Sequence, residues 1–306
     1  MKKILHKIIT KDFRTAAALC VLVLFILMGI GTDIYHVYCQ KHKITPVYLV
    51  EDSKNCYAPP SPAHILGTDF MGRDVFFRAV AGSSSALKVG FCASFIALVI
   101  GVTLGAAAGY FGGKTDKIVI WLYSTFASMP GLLFILAFSL LFGKGFLAPE
   151  IQQGLRTVNK IVPFEIDVFG VYLAIGLTGW VSLCRIVRAE TLKLKNAVYV
   201  ESAQVSGVRE ITILFRHILP NLFHIVIIFF TLRFAYAIMT EVIVSYLGFG
   251  IQSMPSWGMM ISEGQDRLWR GIWWEVAGAG AFLFVLVLAL NILGDSLRDI
   301  LDPKNQ

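Results

Sequence analysis

The run IVIWLYSTFASMPGLLFILAFSLLF, residues 118–142, contains no charged side chain. A helix that crosses the hydrocarbon core of a membrane needs about 20 predominantly apolar residues, so this run is long enough to span a bilayer. Five further runs are also long and mostly apolar, although each contains one or two charged residues: 15–38, 88–111, 166–187, 222–248 and 276–297. Any one of them could be a buried core helix, but six leave no water-facing remainder large enough to cover them. The sequence therefore predicts an all-α integral membrane protein with six transmembrane helices.

The composition excludes a soluble globular protein. Of 306 residues, 56% are hydrophobic and 15% are charged, whereas soluble domains carry about 25% charged residues. The net charge of +7 is explained better by basic cytoplasmic segments than by nucleic-acid binding, which we do not predict. The basic start of the chain precedes an apolar run without a small-residue cleavage pattern. We therefore expect a retained first span rather than a signal peptide.

Lysines and arginines indicate the orientation of the helices. With the N-terminus in the cytoplasm, 15 of them fall in cytoplasmic segments and 11 in extracytoplasmic ones. The first extracytoplasmic loop is long, so its charges count less. We expect both termini, and the segment between the fourth and fifth spans, to be cytoplasmic. Cys39 and Cys56 share the first outer loop, where a disulfide and two free thiols are both compatible with the sequence.

The segment between the fourth and fifth spans is polar: YVESAQVSGVREITILFRHILPN, residues 199–221. Apolar residues recur at helical spacing after Asn196, which can cap the start of a helix. Gly207 can adopt the left-handed conformation that ends a helix, and Pro220 suits the start of another. The pattern predicts a short amphipathic helix, a bend and a second helix over residues 208–219. The first helix could lie on the membrane surface or dock into a groove on another protein.

This segment resembles the cytoplasmic loop of the membrane subunits of ABC importers. The shared features are Glu201-Ser202-Ala203, Gly207 six residues after the glutamate, and Ile218-Leu219-Pro220; Ser202 replaces the alanine that is usual in the middle of the first group. The resemblance implies a helix that couples the membrane subunit to an ATPase. The residues it assigns to coupling are Tyr199, Glu201, Ser202, Ala203, Gly207, Arg209, Ile218, Leu219 and Pro220.

Other motifs resemble the C-type permeases of dipeptide, oligopeptide and nickel importers. They are HILGTDFMGRDV (64–75), AGYFGG (108–113) followed by Asp116, SYLGFGIQ (245–252), PSWG (255–258) and NILGDSLRD (291–299) followed by LDP (301–303). The resemblance covers the chain from His64 to its end. It implies a permease in a bacterial inner membrane that forms a translocation path, with dipeptides or oligopeptides as the expected solutes and nickel or another small solute as the alternative.

The same resemblance implies partners. We expect a second related permease, two ATP-binding subunits, an extracytoplasmic solute-binding protein and the surrounding lipid. No Walker sequence with its lysine occurs, so ATP hydrolysis is expected in the partners and this chain is not expected to be an enzyme. We divide the chain into an N-terminal segment with the first helix (1–38), an extracytoplasmic loop (39–84) and a permease core with five helices (85–300).

Two rival interpretations come from other classes. A secondary transporter would use Arg233 and Glu241 as an ion-coupling pair, but such folds usually show internal repeats and broken mid-membrane helices, and the sequence indicates neither. A membrane scaffold would use residues 199–221 to hold a soluble enzyme. A neighbouring gene with a Walker motif would favour an ABC transporter over both.

The ionisable residues outside the spans have ordinary explanations. We expect Asp69 and Asp74 to cap turns and to pair with Arg73 and Arg78 rather than to catalyse a reaction, and we expect His64 to be solvated. His217 and His224 share a helix face but lack a third ligand, so we predict no metal site and no cofactor.

Two charged residues lie inside the fifth span, where ionisable groups are costly and usually mark function. Arg233 and Glu241 are too far apart along a helix for a direct pair. They could line the translocation path or pair between subunits, or Glu241 could bind a neighbouring span or outer loop within this subunit. Gly101, Gly105 and Gly109 share one helix face, where we expect close helix packing.

Overall fold

A computed structural model describes residues 13–143, 166–251 and 254–301. The described chain is helical, with a single isolated bridge between Thr68 and Asp74. Its α-helices are α1 Phe13–His42, α2 Val75–Phe111, α3 Gly113–Ser128, α4 Gly131–Gly143, α5 Ile166–Lys195, α6 Val198–Val205, α7 Glu210–Ile213, α8 Leu219–Tyr246, α9 Trp257–Gln265 and α10 Trp274–Leu301. Short 3-10 turns lie at Val47–Leu49 and Leu268–Arg270, and a π-helical turn, Leu214–Ile218, joins α7 to α8. The motif residues Gln252, Asp302 and Pro303 lie outside the described residues.

The membrane-spanning part confirms the predicted all-α class. Five helices are long and apolar enough to cross a membrane: α1, α2, α5, α10 and the continuous helix Glu210–Tyr246 that contains α8. The pair α3 and α4 is also apolar and long enough when taken together, as a broken span or a re-entrant loop, because its halves are bent by 89° at a short break. The expectation of an unbroken helix over residues 118–142, and of no broken span, is therefore wrong. Pro130 lies in the break, where its ring and its missing N–H oppose a continuous helix.

The glycines of α2 pack against α5, as predicted. A Cβ at Gly101 would meet the backbone oxygen of Trp180, and one at Gly105 or Gly109 would meet the backbone of α5 one and two turns farther on. Because small residues let helix backbones approach closely, these three positions fix the contact between α2 and α5. Arg188 of α5 also forms a two-pronged ion pair with Asp116 of α3, with Nη2 2.7 Å from Oδ2.

The loop between α1 and α2 is tied to the bundle by an ion-pair network. Asp69 is fully buried and binds both Arg73, at 2.6 Å from Nε, and Arg78. Arg78 also lies 3.0 Å from Glu263 of α9 and 3.5 Å from Glu275 of α10. The carboxylates of Asp69, Glu263 and Glu275 converge closely enough to suggest a cation site, but the guanidinium groups of Arg73, Arg78 and Arg267 already face them, at 3.5 Å in the case of Glu275. The network is therefore structural, as predicted for Asp69.

The start of α2 shows why His64 and Asp74 belong to the same motif. Asp74 caps α2 by accepting hydrogen bonds from the backbone N–H groups of Phe76 and Phe77. Its other oxygen lies 2.9 Å from Nδ1 of His64. The expectation that His64 is merely solvated is therefore wrong, because its ring holds the capping carboxylate.

Two segment boundaries set from hydropathy fall inside helices. Residue 38 lies within α1 and residue 84 lies within α2, so the connection between these two helices runs from His42 to Val75. Ser84 and Lys88 of α2 both bind Asp33 of α1, at 2.6 and 2.5 Å. Cys39 is buried, Cys56 is exposed, and both are free thiols.

Candidate functional site: helix α6

The segment between α5 and α8 folds as a short helix followed by a tight turn. Helix α6 begins at Val198, with Ala197 as its N-cap and no side-chain cap. The prediction that Asn196 caps it is wrong, because the backbone N–H of Asn196 instead bonds to Lys193 and closes the end of α5. Glu201 lies in the first turn, where a negative side chain is stabilised by the helix dipole.

Gly207 ends α6, as its position predicted. Its φ of +75° lies in the left-handed region. The backbone N–H of Val208 bonds to the oxygen of Ala203, and the N–H of Gly207 bonds to that of Gln204. This pair of hydrogen bonds is a Schellman motif, which satisfies the last carbonyl groups of a helix and reverses the chain. A Cβ at Gly207 would meet no atom within 4 Å, so the conformation alone calls for glycine.

Buried apolar side chains hold α6 on the bundle. Val200 is fully buried, and it belongs to a cluster with Ile213, Leu214 and Ile218. The same cluster includes Val187 of α5, together with side chains of α2. Packed side chains therefore connect α6 to the spanning helices.

The opposite face of α6 has no partner within the described chain. Val198 is 82% exposed and Val205 is 90% exposed. Glu201 and Ser202 are exposed between them, and Tyr199 is partly exposed. This face therefore has one exposed valine at each end and a glutamate and a serine between them. Such a pattern is typical of a helix face that docks into a groove.

The predicted coupling residues divide into three groups by burial. Tyr199, Glu201, Ser202, Gly207, Arg209 and Pro220 are exposed, Ala203 and Leu219 are half-buried, and Ile218 is fully buried. Ile218 and Leu219 thus support the segment from within. Sequence reasoning missed Val198 and Val205, since two valines in an apolar chain carry no signal until the fold exposes them.

Asn221 contributes a link that the sequence did not indicate. Its side-chain amide donates to the hydroxyl of Tyr199 at 3.2 Å and to the backbone oxygen of His217 at 2.7 Å. The amide joins the first turn of α6 to the π-helical turn before α8. Pro220 lies at the start of α8, as expected.

The two charged residues of α8 are not brought together. Glu241 is buried, accepts a hydrogen bond from Ser245 at 2.6 Å and also bonds to Ser256, just before α9. This geometry favours the interpretation in which Glu241 binds an outer segment of its own subunit. Arg233 instead lies over the ring of Tyr236, 4.7 Å from its centroid.

Comparisons with known proteins agree with the motifs. Residues 101–306 match the profile of a family described as "Binding-protein-dependent transport system inner membrane component". The chain is 33% identical over 287 residues to the oligopeptide transport system permease protein OppC of Bacillus subtilis, covering 94% of this chain and 84% of the relative.

Two further relatives carry different solute names. The dipeptide transport system permease protein DppC of Bacillus subtilis is 34% identical over 290 residues, covering 94% of this chain and 81% of the relative. The glutathione transport system permease protein GsiD of Pectobacterium atrosepticum is 36% identical over 246 residues, covering 80% of this chain and 74% of the relative.

Proposed function

The chain belongs to the family of inner-membrane components of binding-protein-dependent transport systems, and we propose that it is a permease subunit of an ATP-driven importer of peptides. It is a multi-pass membrane protein whose relatives are named as permeases rather than enzymes. Similar relatives are named for oligopeptides, dipeptides and glutathione, which supports a peptide rather than nickel as its solute.

The observation that carries the proposal is the unpartnered face of α6. Val198 and Val205 are the most exposed apolar residues of the segment, while Val200 on the other side is fixed in the bundle. We assign the exposed face, with Tyr199, Glu201, Ser202 and Gly207, to a groove on an ATP-binding subunit. The buried Ile218 and the half-buried Leu219 hold the helix that carries this face.

The assembly we propose contains a second related permease, two ATP-binding subunits and an extracytoplasmic binding protein. Both termini and α6 lie on the cytoplasmic side. Closure of the ATP-binding subunits moves α6, and the packed cluster around Val200 transmits that movement to α2, α5 and α8, so that the path opens to the other side. Such a switch requires that the ATPase contact α6 differently in its two states.

The secondary-transporter interpretation gains one shared feature from the structure but loses its ion-coupling pair. The broken span α3–α4 is a feature that it shares. Its ion-coupling pair is not supported, because Arg233 and Glu241 have separate surroundings within the same helix. The family membership and the docking face both support an ATP-driven importer instead.

The test is the exchange Val205→Asp in the full complex. Because Val205 is exposed, the subunit should fold and reach the membrane normally, while a desolvated carboxylate in an apolar groove should weaken ATPase binding by at least about tenfold. The measurement is co-purification of the ATP-binding subunits and peptide-stimulated ATP hydrolysis. Val50→Asp, at a valine in the outer loop that is 47% exposed, is the control that should change neither. Normal ATPase binding by the Val205 variant would refute the assignment of α6.

A further inference from the structure

The guanidinium group of Arg233 lies deep within the membrane-spanning part of the molecule. Arg233 is at the middle of the 28-residue helix α8. Its guanidinium group contacts Gly179, which is near the middle of the 30-residue helix α5. Since both helices span the membrane, the charge stays near mid-depth instead of extending to a headgroup region about 15 Å away.

Arg233 has no carboxylate partner among the residues that the structure describes. Its Nε is buried and donates to no described atom. Its one aromatic contact is the Tyr236 ring, with Cζ 4.7 Å from the centroid. The other charges that face each other across described spans are paired, as with Asp33 and Lys88 at 2.5 Å. A cation at this depth is costly unless an anion or water reaches it.

The arginine is reachable from an open face of α8. Leu232, Tyr236 and Met239 are exposed on this face, with Tyr236 57% exposed. Arg233 itself is half-buried at its edge. A tyrosine hydroxyl at mid-depth is unfavourable against lipid tails, because tyrosines that face lipid concentrate at the membrane interface. We therefore expect this face to border a polar path rather than hydrocarbon.

Gly179 makes room for the guanidinium group. A Cβ at this position would overlap Arg233, so the absence of a side chain on α5 allows the planar group to lie between the two helices. The ring of Tyr236 packs against the guanidinium group, with its centroid 4.7 Å from Cζ. The guanidinium group thus lies beside Gly179 and the Tyr236 ring, neither of which accepts a hydrogen bond from its buried Nε.

We propose that Arg233, positioned by Gly179 and Tyr236, is an anion subsite in the translocation path that binds a carboxylate of the transported solute. The guanidinium fork matches a carboxylate with two parallel hydrogen bonds. This inference rests on the proposed function and narrows it: a peptide with a free C-terminal carboxylate fits the subsite, whereas a nickel cation would be repelled. Lipid phosphates lie too far from mid-depth to supply the anion.

The experiment compares trialanine with trialanine amide as solutes. The full complex is reconstituted in vesicles with its binding protein, and the affinity of the binding protein for each peptide is measured separately so that uptake is compared at equal saturation. The variants are Arg233→Gln, Arg233→Lys and Gly179→Ala. Arg270→Gln, which removes an exposed arginine from the outer segment, is the control.

The expected result is a selective loss. Arg233→Gln should lower ATP-dependent uptake of trialanine by at least about tenfold, the factor for one lost hydrogen bond between charged groups, and uptake of the amide by less than about twofold. Arg233→Lys keeps the charge without the fork and should retain part of the preference for trialanine. Gly179→Ala displaces the guanidinium group and should shift the ratio of the two uptakes in the same direction as Arg233→Gln. The control should leave that ratio unchanged.

Three results would overturn the inference. An unchanged ratio in Arg233→Gln, with the wild-type complex active, would refute the subsite and leave the proposed function standing. Loss of the second permease from the Arg233→Gln complex would assign the arginine to an ion pair between subunits. A wild-type complex without ATP-dependent uptake of either peptide would refute the proposed function and the subsite that rests on it.

Discussion

At the scale of single residues, Arg78 shows how charges fix the outer side of the bundle. It is 2% exposed and lies among the carboxylates of Asp69, Glu263 and Glu275, which come from the outer loop, α9 and α10. Removing one member of a buried ion pair leaves its partner buried without a compensating charge. The free energy lost in this way is larger than the net stabilisation that the intact pair contributes. We therefore expect Arg78 to stabilise the fold rather than to take part in transport.

This position gives a stability prediction. Arg78→Met should destabilise the protein by about 3 kcal/mol, because the buried Asp69 and Glu275 each lose one cation. Arg73 remains beside Asp69 and Arg267 remains beside Glu275, which limits the loss. The measurement is thermal unfolding in detergent. Arg270→Met removes an exposed arginine on the same side and should change stability by less than about 0.5 kcal/mol. Equal stability of the two variants would contradict the structural role of Arg78.

At the scale of helices, the sequence predicted some ends and missed others for physical reasons. Gly207 and Pro220 each favour particular backbone conformations whatever the rest of the fold. The helix end at Gly207 and the helix start at Pro220 could therefore be predicted from the sequence. Hydropathy, in contrast, averages over about 20 residues. It therefore found the apolar run over residues 118–142 but not the 89° bend within it. It also placed the start of α2 at Lys88, because the preceding turns contain serines that are buried only by packing between helices.

The turn after α6 gives a prediction about coupling. Gly207→Val should cost about 1–2 kcal/mol, because a β-branched residue is poorly tolerated in the left-handed conformation. The helix end should shift while the buried cluster around Val200 keeps the subunit folded. We expect normal membrane levels but at least about tenfold less peptide uptake for each ATP hydrolysed. Gly207→Asn is the matched control, since asparagine tolerates this conformation and the position has open space around it. Normal uptake by the valine variant would argue against a role for the turn.

At the scale of the whole molecule, the sequence indicated the class, the spans and the motif residues, but not which surfaces remain open. The valines at 198, 200 and 205 have the same chemistry, and only the fold separates the buried one from the two exposed ones. In the sequence, Arg233 and Glu241 are likewise two charged residues in one span, and nothing distinguishes their surroundings. The fold gives Glu241 two serine partners and leaves Arg233 beside an open face, because the helices that pack against them differ.

The orientation of the molecule is the prediction on which the coupling role of α6 depends. Cys56 lies exposed in the outer loop, and Ser202 lies exposed on α6. In intact cells, a thiol reagent that cannot cross membranes should label the native Cys56. A cysteine introduced as Ser202→Cys in a Cys56→Ser background should be labelled at least about tenfold less in intact cells than in inverted vesicles. The positive charges near the membrane favour this arrangement, because they are more numerous on the side of α6. Rapid labelling of residue 202 from outside would place α6 away from any cytoplasmic ATPase, and the importer mechanism could not operate through it.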